Sequence, residues 1–377
     1  MGKRCDKDLL YSTMCTLLQR IDSSLRHGEG TVNKERQQQL FFPLTLSLSL
    51  SLLTTVSCKT ISRKLINDSN DVVTEFIEGL VETYPGLQYL DGFVLVKVVL
   101  REDVSSATYD KVAVISRGGS GHEPAHAGFV GEGLLTAAII GDINYTGDRL
   151  NFGLAAELAK SEGYKVETVI VGDDCALPPP RGIAGRRGLA GTILVYKVAG
   201  AAAAAAAGLS LIDVATEAKR SSEMVGTMGV ALTVCTLPGQ VTSDRLGPGK
   251  MELGLGIHRE AGAAVADLQP VDVVVSHVLQ QILSTETNYV PITRGERVAL
   301  MVNGLGGTPI MELMIAAGKA VPKLQLEHGL VVDRVYTGSF MTSLDMLMAI
   351  TRLLKFLFRF HHLIQQRMMS HEAGHYN

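Results

Sequence analysis

Two histidines and one aspartate, each delivered by a glycine-containing segment, carry the chemistry open to this 377-residue sequence. The first segment, Gly118-Gly119-Ser120-Gly121-His122, follows an apolar run at 111–116 that reads as a buried strand. Glycines let a backbone approach a small ligand closely, and successive N–H groups form a nest for oxygen atoms. Ser120 and His122 add side-chain donors at the carboxyl end of that strand, where open α/β sheets bind ligands. The turn is not a Walker A loop, since no Gly-Lys-Ser/Thr follows it. Nor is it a nucleophile elbow, since His122 stands where the last glycine of that motif belongs. The second segment is Asn144-Tyr145-Thr146-Gly147-Asp148, ahead of a helix expected from Arg149. Asp148 can serve as that helix's N-cap, its default role when taken alone. The third, Leu253-Gly254-Leu255-Gly256-Ile257-His258, is a flexible stretch delivering one histidine, which taken alone is more often structural than catalytic. Together they form a kit for binding a small polyol or carbonyl compound.

The elements that must position these groups follow from the pattern. Caps at 67–71 precede Val72, Val73, Phe76, Ile77 and Leu80 at helical spacing. Beyond the strand at 111–116, a helix is expected near Ala125, another over 149–161, a strand at 165–171, and an acidic turn at Gly172-Asp173-Asp174. A Gly/Arg loop at 182–191 leads into an Ala-rich, close-packed helix from Thr192 to about Ala207. A strand at 297–302 enters a second glycine turn, Asn303-Gly304-Leu305-Gly306-Gly307-Thr308, before a helix over 311–319. This alternation predicts an α/β fold of two lobes, with largely parallel sheets flanked by helices.

Composition narrows the function. Hydrophobic residues make up 46% and charged residues 19%, and the formal net charge of −3 offers no positive field to gather nucleic acid. Five widely spaced cysteines with no C-x-x-C pair argue against a zinc site or disulfide framework, and fit a reducing, cytoplasmic setting. Residues 40–56 alternate Leu and Ser but are interrupted by Pro43, too short to span a bilayer and too far from Met1 for a signal-peptide core. Residues 1–63 read as an unrelated, disordered extension. Residues 352–364 read as a basic amphipathic stretch with the character of a surface helix.

The strings VISRGGSGHEPAHAGFVGEG, NYTGDRLNFGLAAE, VGDD, RRGLAGT, MGVAL, CTLPG, ELGLGIH, NGLGGTP and YTGSFMTSLDM, in that order, resemble the substrate-binding (K) domain of dihydroxyacetone (glycerone) kinases. The wording is most like the ATP-dependent single-chain enzymes of plants and other eukaryotes. The resemblance implies that His258 bonds covalently to the ketone of dihydroxyacetone or glyceraldehyde as a hemiaminal. It further implies that Gly119, Ser120, Gly121 and His122 bind the substrate, and that Asp148 accepts the proton of the hydroxyl that attacks ATP, with His122 hydrogen-bonding that hydroxyl. It implies a homodimer, and ATP with Mg2+ held on a separate L domain that could act in trans; no cofactor or metal is expected on this chain.

The sequence departs from the family pattern in four places. Arg117 stands where a glycine is usual, and Arg259-Glu260-Ala261 replaces Gly-Glu-Pro after His258. Near 142–143 a crossover and strand of roughly thirty residues, the length a parallel connection needs, is missing, and Ile143 replaces a lysine. The L domain is absent. The expected organisation is therefore an extension at 1–63, a first lobe at 64–185 with an internal deletion, a second lobe at 186–346, and a divergent tail at 347–377. Besides a kinase substrate domain, two other readings are a non-catalytic dihydroxyacetone-binding or regulatory module, and an inactive truncated isoform.

Overall fold

The computed structural model describes residues 64–355, apart from 91–92, 94–95, 106–110, 142–144, 179–184, 206–207, 242, 244, 259 and 347. The N-terminal extension, the Leu/Ser stretch, the junction at 142–143, Arg259 and the tail beyond 355 lie outside the described residues. The apolar spacing after Asp71 forms helix α1 (Val72–Thr83), which buries Ile77 and Leu80. Strands β1 (Leu87–Leu90) and β2 (Val96–Arg101) pair antiparallel. Strand β4 (Ala137–Gly141) joins β2 antiparallel, and β3 (Ile115–Gly119) joins β4 in parallel, giving the order β1-β2-β4-β3. Helix α2 (Tyr145–Ser161) follows β4 almost at once and packs on β3, with the Arg117 guanidinium carbon 5.7 Å from the Phe152 ring centroid.

Helix α3 (Thr192–Ala204) is buried on every side from Ile193 to Ala203. Its small residues allow this: a Cβ on Gly200 would lie 2.2 Å from the Leu134 carbonyl oxygen. Helix α4 (Leu211–Glu223) opens on a capping box, in which the Ser210 hydroxyl accepts from the Asp213 N–H and the Asp213 carboxylate accepts from the Ser210 N–H. The second sheet comprises β5 (Val225–Ala231), β6 (Lys250–Leu253), β7 (Ala264–Asp267), β8 (Arg297–Gly304), β9 (Val331–Gly338) and β10 (Met348–Lys355). Their order is β7-β6-β5-β10-β8-β9, with helices α5 (Val271–Ile282) and α6 (Ile310–Pro322) packed on each other and on its strands. One apolar cluster joins the sheets: Val99 and Ala138 from the first, Ile193 and Leu194 from α3, Val225 and Met301 from the second. No helix among the described residues is long and apolar enough to cross a membrane.

The α/β class matches expectation, but the sheets are not largely parallel. Only β3–β4 and β8–β9 run parallel; the other six strand pairings are antiparallel. Five residues separate β1 from β2 and ten separate β6 from β7, fewer than the dozen or more that a parallel crossover needs. Residues 165–171 form no ladder; only Asp174, further on, bridges Thr227 of β5. The strand at 111–116 begins later, at Ile115, and runs through the first glycines. The helix expected near Ala125 shortens to one 3-10 turn, Ala127–Phe129. Of the stretch at 352–364 expected as a surface helix, the four described residues, 352–355, instead end a sheet strand: β10 pairs with β5 on one side and β8 on the other, so its backbone groups find partners that a surface helix would not use.

Candidate functional site

Where β3 ends, the chain turns through Gly119, Ser120 and Gly121, and Gly121 takes φ +90°, a conformation that favours glycine. The turn delivers His122, buried with 4% of its surface exposed. On the neighbouring sheet, β6 runs into Gly254, also at positive φ, and the loop beyond it delivers His258. The two imidazoles meet edge to face, with Nε2 to Nε2 at 2.9 Å.

Their partners decide where the protons sit. His122 Nδ1 lies 2.7 Å from the Thr342 carbonyl oxygen, which can only accept, so Nδ1 carries the proton. Burial, and next the proximity of His258, depress the His122 pKa from 6.5 to about 4, so at neutral pH its Nε2 is a lone-pair acceptor. The hydrogen bond between the rings is then donated by His258 Nε2. On the far side of His258, Nδ1 faces a carboxylate oxygen of Glu260 at 3.4 Å, and the His258 backbone N–H donates to the other carboxylate oxygen at 2.8 Å. Burial would raise the Glu260 carboxyl, but the bonds to His258 prevail and bring it to about 2. Both nitrogens of His258 thus face acceptors, His122 Nε2 on one side and the Glu260 carboxylate on the other.

Three other motifs hold this pair in place. The loop after β9 joins the two histidine segments: Thr342 N–H donates to the His122 carbonyl (3.1 Å), Leu344 N–H to the Gly121 carbonyl (3.1 Å), and Ser343 Oγ to the Ile257 carbonyl (2.6 Å). That loop is fixed by the fully buried Asn303, whose Oδ1 accepts from Phe340 and Met341 N–H while Nδ2 donates to the Met341 carbonyl. Behind His258, Arg187 donates from Nε to Asp174 Oδ2 (2.5 Å) and from an Nη nitrogen to the Gly254 carbonyl (2.6 Å). Asp173, fully buried, accepts from Leu189 N–H (2.5 Å), Gly191 N–H (2.8 Å) and the Thr227 hydroxyl, tying the Gly/Arg loop to β5.

Of the residues singled out in the sequence, Gly119, Ser120, Gly121, His122 and His258 come together. Ser120 is half-buried in the turn. Asp148 lies in the first turn of α2, not at its N-cap, three residues after Tyr145 opens the helix. The strand leading toward it is β4, whose Gly141 sits opposite Gly119 of the turn. Sequence reasoning assigned no role to Glu260, Arg187, Asp174, Asn303, Thr342 or Ser343. Most lie inside quoted family strings, and their polarity at buried positions was the available signal. Among the described residues, no cluster of three or more His, Cys, Asp or Glu could hold a metal ion.

The Dak1 domain family model matches residues 78–144 and 143–370. The two matched stretches meet at 143–144, where the missing crossover was read, and the second runs past Met346 to residue 370. A tomato (Solanum lycopersicum) protein named "Putative 3,4-dihydroxy-2-butanone kinase" is 78% identical over 312 residues, covering 76% of this chain and 52% of that protein. The dihydroxyacetone kinase of C. freundii has a solved structure that superposes with a TM-score of 0.72 at 36% identity, over 81% of this chain and 59% of that one. A dihydroxyacetone kinase operon co-activator superposes with a TM-score of 0.65 at 31% identity, over 74% of this chain and 91% of that one. The chain spans about half the length of the first curated relatives it matches. On the family match, the shared fold and the histidine pair set between its two sheets, this chain belongs to the Dak1 domain family, as a dihydroxyacetone kinase K domain.

Proposed function

We propose that this chain captures dihydroxyacetone or glyceraldehyde as a covalent hemiaminal on His258, readying the triose for phosphorylation. The observation that carries the reading is the 2.9 Å contact between two Nε2 atoms, with Glu260 behind His258. His258 Nε2 hands its proton to His122 Nε2 and is left with a lone pair. That pair forms a bond to the carbonyl carbon, the C=O π electrons move to oxygen, and the oxygen takes the proton from His122. No proton is gained or lost: the positive charge stays on the substituted imidazolium, whose Nδ1–H still faces the Glu260 carboxylate. A polyol such as glycerol has no carbonyl carbon to attack and is refused. The glycine turn at Gly119, Ser120 and Gly121 lets the backbone come close to the triose oxygens.

Asp148, from the first turn of α2, is the proposed base for the hydroxyl that receives phosphate. The described residues offer no cluster of carboxylates for a magnesium nucleotide. Phosphoryl transfer is the proposed task of an L domain on the same or another polypeptide. A thermal unfolding series with and without millimolar dihydroxyacetone tests the binding reading, because a ligand that binds only the folded state raises the transition. A rise in the wild type that vanishes in His258→Ala supports it; equal behaviour of the two proteins rejects it.

The likeness to the operon co-activator favours a second reading, a dihydroxyacetone sensor without transfer. Turnover on addition of a family L domain with ATP and magnesium selects the kinase. Tight binding without turnover selects the sensor.

A further inference from the structure

We propose that His126 is a positioning residue that sets the glycine turn, and through it His122, by closing a ring of contacts with Tyr196 and Ser116. The claim deepens the reading of His122 and His258 as the substrate site and rests on it. His126 follows His122 by four residues, is 5% exposed, and belongs to neither the proton path nor the ligand contacts proposed above. Its Nδ1 lies 2.7 Å from the Tyr196 hydroxyl, which also hydrogen-bonds Ser116 Oγ. Ser116 lies on β3, two residues before Gly118. The other edge of the imidazole closes the ring, because a Cβ on Gly118 would lie 1.7 Å from His126 Nε2 and 2.3 Å from Cδ2. The imidazole thus fills the space of a side chain at 118, and the strand end cannot shift toward it.

Tyr196 comes from α3, buried on every side from Ile193 to Ala203, so the ring ties the turn to the core. The groups that act on His126 are the Tyr196 hydroxyl and the imidazoles of His122 and His258. Burial first, and those two imidazoles next, bring the His126 pKa to about 3. At neutral pH it therefore places no charge beside the two other imidazoles.

The test reads the His122 ring by NMR without ligand, alongside dihydroxyacetone affinity, in wild type, Tyr196→Phe, His126→Gln and His126→Ala. In wild type the His122 resonance should titrate near 4. In Tyr196→Phe and His126→Ala it should move up toward the ordinary histidine value of about 6.5. Dihydroxyacetone affinity should fall about tenfold in both, and His126→Gln, which keeps a polar partner for Tyr196, should recover part of each. Gly118→Ala should disrupt the site alone and be tolerated when combined with His126→Ala. An unchanged His122 titration in folded Tyr196→Phe and His126→Ala overturns the proposal. If those two do not fold, Ser116→Ala on the rim of the ring decides in the same way. Failure of the wild type to bind dihydroxyacetone would defeat the substrate reading, while the ligand-free titration still judges the positioning.

Discussion

Mild acid should destabilise this protein steeply, and the cause lies in two buried histidines. His122 and His126 are held neutral, with pKa values of about 4 and about 3, chiefly because burial penalises their charged forms. In the unfolded chain both take up protons from about pH 6.5 downward. The unfolded state therefore binds more protons below that pH. Stability is complete above about 6.5 and falls as the pH drops toward the two folded-state values. At about pH 5 each histidine forfeits roughly 1.36 kcal/mol per pH unit over about 1.5 units, or about 2 kcal/mol, and the pair about 4 kcal/mol. That is a large part of the ~5–15 kcal/mol by which domains are stable. Urea unfolding followed by circular dichroism from about pH 7.5 to about pH 5 measures the loss directly. Replacing His126 by Gln should remove about 2 kcal/mol of the pH dependence, whatever it does to stability at neutral pH. A wild-type stability that stays flat to within about 1 kcal/mol over this range would refute the assignment of buried neutral imidazoles.

Other perturbations probe the supports of the site. Asp173→Asn keeps the shape but loses the charge that receives two backbone N–H groups and a hydroxyl, so it should lower unfolding stability by about 2–3 kcal/mol at neutral pH; an effect below about 0.5 kcal/mol would contradict the role given to that carboxylate. Gly306 takes φ +107°, and a Cβ there would meet the Leu344 carbonyl oxygen at 1.9 Å. Gly306→Ala should cost about 3 kcal/mol and weaken dihydroxyacetone binding, because Leu344 N–H is bonded to Gly121 of the turn; calorimetry showing an unchanged transition would count against this. Glu260→Gln removes the anion beside His258, and the loss of about 1.5 kcal/mol should appear as roughly tenfold weaker dihydroxyacetone binding by titration calorimetry. Equal affinity of Glu260→Gln and wild type would show that the carboxylate does not stabilise the adduct.

The site was legible in the sequence wherever chemistry is local. Gly118 to His122 are contiguous, and a strand followed by glycines and a histidine predicts its own turn. His258 was legible only as the end of a glycine segment; its pairing with His122 spans 136 positions. Only the family resemblance had joined the two. Glu260 stood in the sequence merely as part of a departure from the family pattern, and its role emerged once His258 Nδ1 was seen to face it. The fold class followed from the alternation of strands, glycine turns and helices. Strand direction did not, because apolar periodicity is the same for parallel and antiparallel pairs. Residues 352–355, the described part of the stretch read as a surface helix, were misjudged for a related reason: they mix apolar and basic residues as a surface element would, and only the place between β5 and β8 makes them part of a strand with both edges paired. The run at 165–171 shows the converse, a β-rich segment left without a ladder.

The most direct test of covalent capture is a 13C NMR spectrum of carbonyl-labelled dihydroxyacetone added to the purified chain. The account predicts a protein-bound signal shifted from the ketone region to that of a saturated carbon bearing nitrogen and oxygen, absent in His258→Ala and slowed in His122→Asn. A bound ketone carbon unchanged from the free triose, or an adduct that survives in His258→Ala, would contradict it.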